Sequence, residues 1–216
     1  MKQNTCIYLT IYTLLSFSIQ TQAAMSEEVV EIQKQWAEVN YMPDGDAKEK
    51  AFEKLSNVAT QIRLNHPQDA ESWIWEGIVY SSYAGAKGGI GALSLAKKAK
   101  AAYEEAIQID GSALNGSAYT SLGILYSKVP GWPIGFGSDK KAMKLLKQGL
   151  KYNPEGIDSN YFYAEFLYEE EDYLTAKNHL QKAKSAEPRT DRPKADEGRH
   201  REIEQLLVKV NEELAD

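Results

Sequence analysis

Glycines placed just ahead of a lysine and a helix are one way for a chain to cradle phosphate, and the stretch VPGWPIGFGSDKKA, Val129 to Ala142, raises that chemistry. The order of residues argues against it. A Walker-type loop needs G-x4-G-K-[ST] between a strand and a helix, whereas here Gly135-x-Gly137-Ser138-Asp139-Lys140 puts a carboxylate where the anion would approach. Ser138 or Asp139 reads better as the N-cap of the following helix. Gly88-Gly89-Ile90-Gly91 reads as a flexible turn. His66, His179 and His200 lie far apart with no cysteine or histidine at metal-ligand spacing, which predicts solvated surface histidines and no metal site. Lys140, Lys144, Lys147 and Lys151 form a stripe at helical spacing and are expected on the wet side of a helix. Glu169 to Asp172 reads as a polar turn. No G-x-S-x-G and no local Ser/His/Asp arrangement is present, so the expectation is a non-enzyme with no catalytic residue and no cofactor.

Binding chemistry is better supplied. Trp75, Tyr83, Tyr161 and Tyr168 are large amphipathic side chains that could line a concave face, and Trp132 and Phe136 sit in the Pro- and Gly-rich segment where a rigid scaffold would present contacts. These six are the candidate partner- or ligand-binding residues.

The elements that must position them repeat. Tyr119-x2-Leu122-Gly123-x2-Tyr126 recurs as Trp73-x2-Glu76-Gly77-x2-Tyr80 and, more loosely, as Asn160-x2-Tyr163-Ala164-x2-Leu167. A second element recurs as Ala99-x3-Tyr103, Ala142-x3-Leu146 and Ala176-x3-Leu180. Each of these alanines is followed twelve residues later by a closing Gly111, Pro154 or Pro188. Small residues at a helix crossing let two backbones approach, larger ones fill the space beside them, and proline stops the second helix. Each repeat is therefore a helical hairpin that buries its apolar face only against neighbours. Val29, Ile32, Trp36 and Val39 mark an earlier amphipathic helix, with Leu55, Ala59, Ile62 and Pro67 on the frame of its partner. Trp73, Tyr80, Tyr119, Tyr126 and Tyr163 occupy repeat positions and are expected in the core.

After the polar break RTDRP, residues 194–214 place Ile203, Leu206, Leu207, Val210 and Leu214 on one stripe of a charged helix, a terminal cap. From Leu167 to Ala176 is nine residues, but Tyr126 to Ala142 is sixteen and Tyr80 to Ala99 is nineteen, so both longer intervals are expected to be loops inside hairpins, emerging side by side.

These motifs are similar to the tetratricopeptide repeat W-x2-L-G-x2-Y…A-x3-F…P. The resemblance implies an all-α fold of about nine helices, a right-handed solenoid of stacked tetratricopeptide-like (TPR) hairpins with long intra-hairpin loops and a C-terminal capping helix. The chain also resembles exported bacterial repeat proteins and, more distantly, the periplasmic TatT component of TRAP-type transporters. That last likeness rests on export, size and repeat layout, and no functional residue is carried across.

The 216 residues hold one cysteine, Cys6, and a formal net charge of −6. Lys2 is the only charge before Glu27, Ile7 to Ile19 is apolar, and Thr21-Gln22-Ala23 offers small residues for cleavage. Residues 1–23 therefore read as a signal peptide and 24–216 as one domain, exported, and periplasmic in a Gram-negative source. An acidic chain argues against nucleic acid and membrane surfaces as partners. Two functions follow as expectations. The first is a non-enzymatic scaffold or adaptor that docks an exported or membrane-anchored protein in its groove and on its two loops. The alternative is an accessory of a transport system that binds a small amphipathic ligand.

Overall fold

The computed structural model describes residues 25–215, and the proposed signal segment, with Cys6, lies outside them. Among the described residues the chain forms nine helices and no strand: α1 Glu27–Asn40, α2 Asp46–Asn65, α3 Ala70–Lys87, α4 Gly89–Asp110, α5 Ala113–Lys128, α6 Asp139–Tyr152, α7 Ile157–Glu169, α8 Tyr173–Lys184 and α9 Pro193–Glu213. No helix among them is long and apolar enough to cross a membrane. Side-chain caps start three of the helices: Ser26 accepts from Val29 N, Ser138 from Lys141 N and Asp172 from Thr175 N. Pro193 opens α9 at a position where its missing N–H costs nothing.

Hairpins α3/α4, α5/α6 and α7/α8 pack along their lengths, and the repeat frame supplies the crossings. Ala99, Ala142, Ala164 and Ala176 are fully buried. A Cβ built on Gly77 would lie 2.5 Å from the Tyr103 ring, and one on Gly123 would lie 2.8 Å from Leu146 Cγ. In the first two of these hairpins the glycine of the first helix thus admits the large residue four positions after the alanine of the second, and in α7 Ala164 takes the glycine's place. Tyr80, Tyr126 and Tyr163 are buried as the frame predicts, whereas Trp73 and Tyr119 are only half-buried. Tyr119 stacks on Tyr152 instead, with ring centroids 5.6 Å apart.

The two long intervals differ in kind. Residues 129–138 are a true loop, tied by Gly137 N to Pro130 O and by Ser138 N to Tyr126 O. The expected loop at AKGGIGAL is instead helical. Helix α3 continues to Lys87 and α4 begins at Gly89, with Gly88 alone between them at φ 61°. Alanine-rich sequence on both sides carries the helices through, and glycine is needed only where φ turns positive. The expectation that the two insertions meet holds, because a Cβ on Gly135 would touch Leu93.

The even-numbered helices touch only their chain neighbours, while the odd-numbered ones also touch one another: α1 to α3, α3 to α5, α5 to α7 and α7 to α9. Helix α9 then returns to α1. The expected terminal cap is therefore also a closing element, and the odd helices form a closed circuit. Ile203, Leu206 and Val210 of its stripe are buried, but Leu214 is exposed.

The crossing argument has a paired test on α3. Alanine is the better helix former by about 1 kcal/mol, so Gly85→Ala, where a Cβ meets nothing within 4 Å, raises stability to urea by roughly that amount. Gly77→Ala loses the same gain to overpacking against Tyr103 and comes out about 1–3 kcal/mol less stable. Equal behaviour of the two variants would remove the crossing from the account.

Candidate functional site

The closed circuit surrounds a half-open cavity of about 1360 Å³. Helices α6 and α8 contribute nothing to its wall, which comes from the odd helices, the start of α2, α4 as far as Tyr103, and connecting segments that include Val129, Pro130 and Ile134 and residues 189–192. One side is aromatic and aliphatic. Trp36 and Trp75 meet edge to face at 5.9 Å, and Phe52, Tyr103, Ile78 and Leu125 extend that surface. The wall also includes Leu114 and Asn115, which with Gly116 start α5 in the left-handed region at φ 47°, 55° and 73°. For two residues with side chains this is strain of about 1–3 kcal/mol each, the kind that gathers at binding surfaces.

Next to the aromatic side lies a charged part of the wall, built where α9 and the segment before it meet α7. Arg189 pairs with Asp158 at 2.6 Å and with Asp196 at 2.5 Å, while Arg199 pairs with Asp158 at 2.9 Å and with Glu202 at 2.5 Å. Arg199 also lies 4.4 Å from the ring centroids of both Tyr161 and Phe162. Burial alone would raise the Asp158 carboxyl, but the guanidinium groups of Arg199, Arg189 and Arg192 outweigh it and hold the group well below the usual carboxylate range. Glu202 is raised, first by burial and then by the neighbouring Asp158 and Glu165 carboxylates, against the pull of Arg199.

Two polar groups of this wall have no partner among the described residues. Trp75 Nε1 and Arg192 Nε are buried without a hydrogen bond, and the Arg192 guanidinium stands 5.2 Å from the Trp75 ring centroid. The contrast with their neighbours is direct. Trp36 Nε1 donates to Ser82 Oγ at 2.8 Å, and both Arg189 and Arg199 are paired twice.

The six residues singled out from sequence scatter. Trp75, 2% exposed, and Tyr161 face the cavity. Tyr168 lies beside a small neighbouring pocket with Tyr161 and Glu202. Tyr83 is in the hydrophobic core. Phe136 turns inward and packs edge to face on Tyr126 at 5.4 Å, because the loop folds back on α5. Trp132, by contrast, is 90% exposed at the loop tip. The histidines are half-buried instead of solvated: His179 is hydrogen-bonded to Asn160 Oδ1 and His66 to Glu28. Lys140, Lys144, Lys147 and Lys151 are all exposed on α6.

Arg189, Arg192, Arg199 and Asp158 were not legible as a site. RTDRP reads as a polar break, and no spacing rule links Asp158 to an arginine far along the chain. The one available signal was a pair of arginines near the start of an otherwise acidic helix. No protein-family model matches the chain, and no curated protein matches it either.

Asp158 pairs with the buried Arg199 and the half-buried Arg189 while itself half-buried, so Asp158→Asn lowers stability at neutral pH by about 1–3 kcal/mol, less than breaking a fully buried pair. Because its folded value is depressed, the stabilisation is complete above about pH 4, the unfolded carboxylate value, and fades as pH falls further. Urea titrations of both proteins between pH 7 and pH 2 should therefore converge only at the acid end. A gap that closes already at pH 5 to 6 would contradict the assignment.

Proposed function

We propose that the protein is a non-enzymatic binding protein that holds a small amphipathic molecule inside its ring of helices. The observation that carries this reading is the cavity itself. At about 1360 Å³ it exceeds the roughly 300–1,000 Å³ usual for small-molecule sites, and it joins an aromatic wall to a few placed polar groups. An open groove for an extended peptide is less well supported, since α9 packs back on α1.

We read the hairpins as tetratricopeptide-like and their stacking as right-handed. The equivalent crossings at Gly77 with Tyr103 and at Gly123 with Leu146 support the first part of that reading. The resemblance to exported repeat proteins, TatT among them, fits a periplasmic accessory that retains a ligand for an uptake system.

The test uses N-phenyl-1-naphthylamine, whose emission rises in apolar surroundings. Binding is expected to saturate at one probe per chain and, at a hundred times Kd, to raise stability by about 2.7 kcal/mol. Ser121→Trp places an indole in the cavity wall and should abolish both effects without unfolding the protein. No emission change with the unaltered protein would sink the reading.

A second reading has its own observation. Ile90 is 99% exposed and Ile134 is 70% exposed, beside Trp132, and both isoleucines also border the cavity. Apolar side chains of this size, clustered at a rim, mark a protein contact. The adaptor role then becomes docking at the mouth of the cavity to an exported or membrane-anchored partner. In crosslinking to native envelope, Trp132→Ala combined with Ile134→Ser should lose the adduct while still binding the fluorescent probe. An unchanged adduct would remove the loop from the interface.

A further inference from the structure

The unpaired guanidinium says what kind of molecule the cavity takes. Arg192 stays charged at any accessible pH, and its charge is opposed first by burial and then by the neighbouring Arg189. It makes no ion pair among the described residues, although three carboxylates stand in the same cluster. Asp158 and Asp196 are engaged by Arg189, and Asp158 and Glu202 by Arg199. Beside Arg192, Trp75 Nε1 is a second donor, 98% of its residue withdrawn from water and with no acceptor. An unpaired guanidinium whose Nε is buried, 5.2 Å from the Trp75 ring centroid, and a buried unpaired indole N–H on the same cavity wall are both costs that one acceptor relieves together.

We propose that the ligand is a carboxylate carried on an apolar body, with its oxygens at Arg192 and the Trp75 indole N–H and its body along Trp36, Phe52 and Leu125. This rests on the reading of the cavity as a ligand-binding interior. A monoanion is specified because Asp158 and Asp191 also border the cavity, and a second negative charge would meet them. The planar guanidinium fork matches the two oxygens of a carboxylate.

Dodecanoate, dodecan-1-ol and dodecyl phosphate, titrated separately and followed by tryptophan fluorescence and Tm, test the assignment. Dodecanoate should bind about ten-fold or more tighter than dodecan-1-ol, the advantage a charged hydrogen bond confers, and tighter than dodecyl phosphate. Arg192→Met should erase that advantage, leave dodecan-1-ol affinity unchanged and raise the Tm of the ligand-free protein. Arg192→Lys, which keeps the charge, should retain part of the preference and also serves if the methionine variant fails to fold. Equal binding of acid and alcohol overturns the inference but leaves the cavity reading standing. Exclusion of all three probes overturns both. Preference for the phosphate overturns the monoanion assignment. A fall in Tm for Arg192→Met with the carboxylate preference intact would make the guanidinium a structural stacking partner of Trp75 and overturn the inference as well.

Discussion

The contact between α1 and α9 decides what kind of object this chain is. An array of helical hairpins has two free ends, and its inner face is a groove unless those ends meet. Here Tyr41, just past α1, lies on Gly198 so closely that a Cβ there would fall 2.0 Å from the ring. The Tyr41 hydroxyl reaches Ala195 O at 3.4 Å, and Lys194 pairs with Glu38. Burial in this contact pushes the Tyr41 hydroxyl up to about 12. Glycine is required because only a residue without a side chain lets an aromatic ring sit flat against the helix. Once the ends are joined, the inner aromatic surface becomes a chamber.

Closure also accounts for the charged wall. Joining α9 to α7 and α1 brings Arg189 and Arg199 against Asp158, a carboxylate at the start of α7 where the helix dipole already favours negative charge. Buried ion pairs of this kind add little net stability against apolar packing, but each partner is costly to leave alone. They therefore serve as registration marks. Asp158 on α7 takes both Arg189 and Arg199, and Arg192 is left over Trp75 with no ion pair of its own among the described residues.

Local rules and closure were unequally legible in the sequence. Ala99, Ala142 and Ala176 with their twelve-residue intervals located the crossings, because helix packing writes a period into the chain. Ser138 as an N-cap followed from local chemistry in the same way. Three features escaped for different reasons. The stretch around Gly88 reads as a loop because its glycines outweigh the alanines on either side, yet two long helices joined through the positive-φ Gly88 and Gly89 satisfy more hydrogen bonds. Composition groups Phe136 with Trp132, and only the fold of the loop separates a ring packed on Tyr126 from one in water. The arginines are not legible as a site because their meaning comes from Asp158, which they meet only where α9 packs on α7.

That dependence bears on what such a chamber can do. A ring of hairpins held at one seam by side chains has two kinds of contact in the same circuit: alanine crossings that are apolar and repeated, and a single seam that is polar and unrepeated. Apolar crossings of close-packed helices resist shear, whereas ion pairs and a tyrosine on a glycine come apart with less loss of buried hydrocarbon. The seam is therefore the element most able to open without unfolding the rest. It also carries Arg192, through the turn between α8 and α9. Under the proposed function, an anion in the chamber would neutralise Arg192, so the ligand and the segment that leads α9 into place share one guanidinium.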